Sequence, residues 1–260
     1  MSDGVLRREF LGMGCAAGGF LLGTSACART PGERASAWPW PYKQLDAGRV
    51  QERAYLGFSK AGCMFAVFEA VAGSVADLLG RPYTDFPFAI SAYGGGGVAS
   101  WGTLCGTCNG AAMAIGLFHE GAKRSALIGD LFAWYEAASL PVYSPGAPAQ
   151  VPPAFVMPSS RAESVLCHVS ISRWSAASGL GSFSAERLER CGRLSADVAG
   201  YVATLLNKAS GDFAPEHTIS NVASGCLSCH GQGKQAAETA GTLSRMACTT
   251  CHEEAHNQTK

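Results

Sequence analysis

Residues 225–256 read "GCLSCHGQGKQAAETAGTLSRMACTTCHEEAH", and the reading of that stretch decides how the chain's end is organised. It holds two C-x-x-C pairs, Cys226/Cys229 and Cys248/Cys251, with 18 residues between them. That spacing fits a four-thiolate zinc ribbon. Each pair is also followed at once by a histidine, His230 and His252, which is the c-type haem attachment signature used twice. The two chemistries differ in what the histidine does. In haem attachment the thiols add to the porphyrin vinyl groups and the next residue sits under the iron. In a four-cysteine zinc site those histidines have no task. The chain has 6 histidines in 260 residues. Random placement would put two of them at these positions on the order of one time in two thousand, so the stretch reads as two haem c sites rather than a zinc or disulfide site.

Residues 210–260 carry few large apolar side chains, among them Phe213, Ile219, Val222, Leu227, Leu243 and Met246. Such a segment buries no core of its own and needs a cofactor to order it. Five-coordinate iron suits ligand chemistry, whereas a second histidine suits electron transfer. The remaining histidines are His119, His168, His217 and His256. His217 and His256 flank the motifs and are the first distal-ligand candidates; His168 is the third.

The start of the chain bears on compartment. "LRREFLGMGCAAGGFLLGTSACA" has Arg7-Arg8, then Phe10-Leu11, a glycine-rich apolar run and an Ala26-Cys27-Ala28 ending. Residues 1–28 therefore read as a twin-arginine export signal, and the protein as periplasmic. Lipidation of Cys27 is the one route by which it would be a membrane-anchored lipoprotein. Cys15 and Cys27 drop out of the fold. Lys+Arg and Asp+Glu are balanced at 20 each, so no basic footprint for nucleic acid or anionic lipid is present.

Residues 29–45 read as a tether, with Trp38-Pro39-Trp40-Pro41 unable to be helical throughout. Residues 46–209 read as a helical, Cys-rich domain and 210–260 as the dihaem segment. The fold class is mostly α, a helical body followed by a short C-terminal segment with little regular structure. Phe65, Phe68, Val71, Val75 and Leu78 recur at helical steps before Gly80. Gly94–Gly97 mark a flexible loop beside a cofactor or partner, with no Lys-Ser/Thr to make it a phosphate cradle. Helices follow at 105–118, 126–140 and 161–179. The last, near 184–208, places Leu188, Cys191, Val198, Val202 and Leu205 on one face and takes Ser184 as cap. No strand pattern competes.

Five cysteines remain in the body: Cys63, Cys105, Cys108, Cys167 and Cys191. Disulfides explain four of five. A Cys105/Cys108 dithiol is a second answer, although no βαβ pattern surrounds it. An iron–sulfur cluster on four thiolates is the third. The export route favours the cluster, since twin-arginine export carries proteins folded around a cofactor taken up beforehand, and haem c is attached after crossing. Cys191 could equally be plain core.

Taken together, "AGCMFAVFEAVAG", "GTLCGTCNGAAMAIGLF", "LCHVSISRW", "RCGRLSADVAGYVATLLN" and the paired "CLSCH…CTTCH" resemble the split-Soret cytochromes c of anaerobic bacteria over about residues 45 to 255. The body alone resembles the broader C_GCAxxG_C_C putative redox-active family. The resemblance implies a homodimer in which four closely stacked, bis-histidinyl haems meet at the interface, an axial ligand from the partner subunit, and an iron–sulfur centre. Carried over, Cys226/Cys229/His230 and Cys248/Cys251/His252 are the haem sites. Cys63, Cys105, Cys108, Cys167 and Cys191 are the cluster candidates, one more than four, with Cys108 the extra.

The expected function is an exported dihaem electron carrier passing single electrons among redox partner proteins of the cell envelope in anaerobic respiration, with no nucleic acid as partner and no catalysis of its own. Two enzymatic readings compete. One is a haem-dependent reductase of a small nitrogen or sulfur oxide; the other is a thiol oxidoreductase using Cys105/Cys108.

Overall fold

The structure, a computed structural model, describes residues 37–211, 213–234 and 241–252. Residues 1–28, expected to be an export signal and carrying Cys15 and Cys27, and His256 lie outside the described residues. Helix α1 spans Ala47–Leu79 and begins where the Asp46 carboxylate accepts the Arg49 amide, 3.0 Å away. It stops at Gly80, whose φ of 70° suits glycine, just before Pro82. Midway it breaks: Ala61 (φ −154°) and Gly62 (φ 80°) leave helical geometry, so a new helical segment starts at Cys63. The chain continues through 3₁₀ turns at Tyr83–Asp85 and Phe88–Gly94 into α2 (Gly106–Phe118) and α3 (Gly121–Ala137). Then come β1 (Ser139–Leu140), β2 (Ser160–Arg161), α4 (Cys167–Ser178), α5 (Ala185–Lys208) and α6 (Asn221–His230).

Helix α1 packs along α5 and α2, and the core lies between them. Phe68, Val71, Val75, Ile115, Val198, Val202 and Leu206 are fully buried. Each such side chain contributes about 1.5–3 kcal/mol by leaving water. Helices α1 and α2 approach so closely that a Cβ on Gly110 would lie 2.4 Å from the Met64 carbonyl oxygen. By length and composition α1 could cross a membrane, but 56% of its apolar window is buried inside this body.

The mostly α architecture is as the sequence implies, with several local differences. Leu78 and Leu188, expected on core faces, are exposed; both sit in terminal turns of their helices. Helix α5 is buried on nearly every side, taking Glu189, Arg190 and Arg193 inside with it. A two-residue antiparallel pair, β1 with β2, pairs Ser139 with Arg161 and Leu140 with Ser160. Residues 162–166, expected to be helical, are not, because their backbone groups serve the loop before α2. Cys105 N donates to Val165 O (2.8 Å), and Cys167 N to Thr103 O (2.7 Å). The helix therefore begins only at Cys167. Ser184 caps α5 as expected, accepting from Arg187 N. Trp38 Nε1 donates to Gly116 O (2.8 Å), and Trp40 sets its ring edge-on to Tyr83 at 5.0 Å, so this N-terminal stretch lies against α2 and the first 3₁₀ turn.

The segment after α5 is tied to the body at several points. Lys123 Nζ donates to Ala209 O, and Lys208 pairs with Glu216 at 2.7 Å. Thr250 Oγ1 donates to Glu163 O at 3.2 Å, and Met246 packs against the core with its sulfur 3.8 Å from Ser164 Oγ. Within this segment α6 is a ten-residue helix capped by Ser220.

Candidate functional site

Four of the five body cysteines line one cavity of about 120 Å³: Cys63, Cys105, Cys167 and Cys191. Three of them stand at helix N-termini. Cys63 opens the second segment of α1, Cys105 is the residue before α2, and Cys167 is the first residue of α4. Unpaired amide groups and the positive end of the dipole face such positions, which favours thiolate over thiol. Cys191 comes from the middle of α5. Cys108, one turn into α2, lies outside this lining, fully buried behind Cys105. None of the nine described cysteines is in a disulfide.

The walls come close by using glycine. A Cβ on Gly106 would lie 2.3 Å from Cys63 Sγ, and one on Gly97 would lie 2.7 Å from Cys167 Cβ. The Gly94–Gly97 loop borders the cavity, and it is not the loose loop its composition suggests. Val98, Ala99 and Ser100 continue its left-handed backbone at φ 58°, 49° and 67°. Hydrogen bonds from Ala99, Ser100, Gly102 and Thr103 amides back to Tyr93, Gly95, Gly96 and Gly97 carbonyls stitch it together. Gly95 and Gly96 line the cavity directly.

The electrostatics of the cavity favour an anion. Arg187 and Arg190 both line it. Arg190 is 1% exposed, donates from Nη2 to Ser170 Oγ (2.8 Å), and has no hydrogen-bond partner on Nε. Among the described residues no carboxylate pairs with it. The Arg190 charge reaches the buried Asp197 carboxylate only beyond ion-pair distance, so the thiol set is the nearer anionic partner for a costly buried guanidinium. Tyr135 joins the same network through Ser170 Oγ at 3.0 Å. Hydrogen bonds from Cys108 and then Cys167 hold the Cys105 thiol well below its usual range despite burial. Burial pushes Cys63 up to about 12, with the charges of Cys105 and Cys191 adding. The hydrogen bond to Cys105, and then burial, raise Cys167. The pocket thus favours the thiolate on Cys105 over those on Cys63 and Cys167. Among the described residues no three His, Cys, Asp or Glu side chains close on a single ion. Four thiols around a cavity, two arginines in its lining and three helix N-termini are a setting able to hold an anionic group.

The haem-type motifs lie on the tail. Cys226, Cys229 and His230 fall in the last turns of α6; Cys248 and Cys251 bracket a 3₁₀ turn, with His252 next. The two motifs face each other. Burial and a hydrogen bond to Cys226 raise the Cys248 thiol, and Thr242 N donates to His230 O at 3.1 Å. Cys229 and Cys251 are exposed rather than turned inward to complete a four-thiolate tetrahedron.

The histidine candidates differ in setting. His217 Nδ1 is 2.9 Å from Tyr201 Oη and 3.3 Å from Asp130 Oδ1. His168, exposed on α4, holds Nδ1 2.8 Å from Gly102 O. His119 is half-buried, with a buried Nε2 that has no partner among the described residues. Sequence reasoning missed Arg187, Arg190, Asp130 and Tyr201. The one signal available was Arg190 beside Cys191 in an otherwise helix-burying stretch.

The comparisons with known proteins agree with this layout. The family described as putative redox-active protein (C_GCAxxG_C_C) matches residues 65–205. Split-Soret cytochrome c of Desulfovibrio desulfuricans is 34% identical, over 92% of this chain and 90% of that protein. A solved structure of that cytochrome, presenting a novel iron centre, superposes with a TM-score of 0.78 at 35% identity. The superposition covers 84% of this chain and 92% of the other. With its helical body matching the redox-active family and nearly its whole length matching the cytochrome, the chain belongs to the split-Soret cytochrome c family.

Proposed function

We propose that this protein is an exported dihaem c-type electron carrier whose helical body holds an iron–sulfur centre, working as a homodimer among redox proteins of the cell envelope. The observation that carries this reading is the pairing, in one chain, of two facing C-x-x-C-H motifs with a four-thiol cavity. Cys226, Cys229, Cys248 and Cys251 bind two haems covalently, with His230 and His252 as their proximal ligands. The haems supply one-electron chemistry. Facing motifs support closely spaced haems, which couple electronically. His217 and His168 are suited to be distal ligands because each keeps Nδ1 on an acceptor and Nε2 available. The family's iron centre comes to this chain on Cys63, Cys105, Cys167 and Cys191, with Cys108 as a buried neighbour. The twin-arginine signal supports export, with membrane attachment only through lipidation at Cys27.

The carrier reading is favoured over a thiol oxidoreductase by burial. Cys105 and Cys108 are 5% and 0% exposed, which leaves no approach for a substrate disulfide.

The test is the visible spectrum of protein matured with a c-type haem system, oxidised and reduced, before and after carbon monoxide. A divided Soret band unchanged by carbon monoxide is expected, with non-haem iron and acid-labile sulfide in the same preparation. A carbon monoxide shift on one haem would replace the carrier with the haem-dependent reductase. A colourless protein, under conditions that load a control cytochrome, would return the tail to a zinc site.

A further inference from the structure

We infer that Asp130 and Tyr201 are positioning residues for His217, fixing which ring nitrogen carries the proton and presenting the other to a haem iron. The inference rests on the reading above that His217 is a distal ligand.

The argument is one of hydrogen counting. Tyr201 has a single hydroxyl proton, and it donates it to Asp130 Oδ1. Its oxygen also lies 2.9 Å from His217 Nδ1. With the hydroxyl proton committed, that contact is a hydrogen bond only if Nδ1 is the donor. Asp130 Oδ1, 3.3 Å from the same nitrogen, can likewise only accept. The carboxylate acts as an acceptor throughout its shell: the Tyr201 hydroxyl donates to Oδ1, and the backbone amides of Glu216 and His217 donate to Oδ2. Nδ1 therefore carries hydrogen in the neutral ring, and Nε2 is the lone-pair nitrogen. Nε2 makes no hydrogen bond among the described residues, and the side chain keeps 34% of its surface open.

The support is rigid. The Asp130 side chain is fully buried. The Tyr201 ring stacks on Trp134 at 3.9 Å and 3°. Lysine and arginine play no part: among the described residues the Asp130 carboxylate meets only His217 as an ionisable partner cation. A histidine whose second nitrogen is held by a carboxylate is the usual outer-shell arrangement of a metal ligand, and it makes the ligand more basic. A more basic ligand stabilises ferric over ferrous iron.

The experiment uses the full holoprotein and three variants, reading haem spin state, carbon monoxide binding and the midpoint potential of each haem. His217→Ala is expected to leave one haem high-spin and open to carbon monoxide. Tyr201→Phe keeps the stacked ring and removes only the hydroxyl; Asp130→Asn removes the charge. Both are expected to remain low-spin while one haem's potential rises by the equivalent of about tenfold, about 59 mV for a one-electron couple. A purely structural role would lower the melting temperature and leave that potential alone. If His217→Ala opens a haem but the potential in both other variants matches wild type, the positioning role is wrong and the ligand assignment stands. If His217→Ala leaves both haems low-spin, the ligand assignment fails and this inference with it. Should Asp130→Asn not fold, Tyr201→Phe decides the matter alone.

Discussion

At the scale of single residues, the thiol cavity depends on two positions that carry no sulfur. Gly106 is the first residue of α2, where alanine would ordinarily gain about 1 kcal/mol as the better helix former. Its Cβ, however, would lie 2.3 Å from Cys63 Sγ and 2.7 Å from Gly94 O. Overpacking of that kind costs about 1–3 kcal/mol and here displaces the Cys63 thiol that lines the cavity. Gly106→Ala is expected to lower stability by up to about 2 kcal/mol net and to lose non-haem iron, read by calorimetry and metal analysis. Arg190→Met removes the buried cation that faces the thiols; non-haem iron and labile sulfide should fall while haem content holds. Glu136 is a separate case. Burial raises its carboxyl from 4.5 to about 7, with the Val165 amide opposing, and its Oε1 has no partner. A carboxyl raised in the folded state binds its proton more tightly there, so the stability it contributes is full below pH 4.5 and lost as pH rises through about 7. Glu136→Gln should therefore leave urea stability unchanged near pH 4 and raise it on the order of 2–3 kcal/mol near pH 8.

At the scale of elements, the site is an assembly of helix starts. The break at Ala61–Gly62 lets one long helix supply an N-terminus in mid-course, and Gly62 at φ 80° is the residue that permits it. An alanine there is forced toward φ values of a continuous helix. Gly62→Ala should straighten α1 and turn Cys63 away, seen as loss of iron with little loss of helical circular dichroism. Helix α5 depends on its cap in the ordinary way. Ser184→Ala removes the hydroxyl that accepts Arg187 N and should cost about 1 kcal/mol in urea unfolding, with cofactors retained. The contrast between these variants separates elements that build the site from those that only hold the body together.

At the scale of the whole molecule, four thiols join α1, α2, α4 and α5 through one cavity. A bound cluster therefore cross-links elements that are far apart in sequence, and its removal loosens all of them. Chelation of the non-haem iron is expected to lower the melting temperature by several degrees, because ligand binding to the folded state alone stabilises it. The haem segment is bound to the same frame. Thr250 contacts Glu163 and Met246 contacts Ser164, four and three residues before Cys167. This gives the two redox regions a short covalent and packing connection.

Much of this was open to reading in one dimension, and the division follows from how each signal is encoded. The two C-x-x-C-H motifs are local chemistry: spacing alone carries the attachment signature, so Cys226, Cys229, His230, Cys248, Cys251 and His252 could be named as haem candidates without a structure. Helix periodicity and caps are also local, which made α1, its stop at Gly80 and the Ser184 start of α5 readable. Periodicity failed at Leu78 and Leu188, because burial depends on what lies opposite a helix end. It failed again at residues 162–166, where the Val165 carbonyl pairs with Cys105 sixty positions earlier and the Glu163 amide with Glu136. The sequence by itself determined the cofactor type, the helical class and which cysteines had to be explained. Only the tertiary structure decided which four share a cavity, that Arg190 faces them unpaired, and that Asp130 and Tyr201 hold His217. Those are through-space relations between residues up to 128 positions apart, from Cys63 to Cys191, and no local pattern records them.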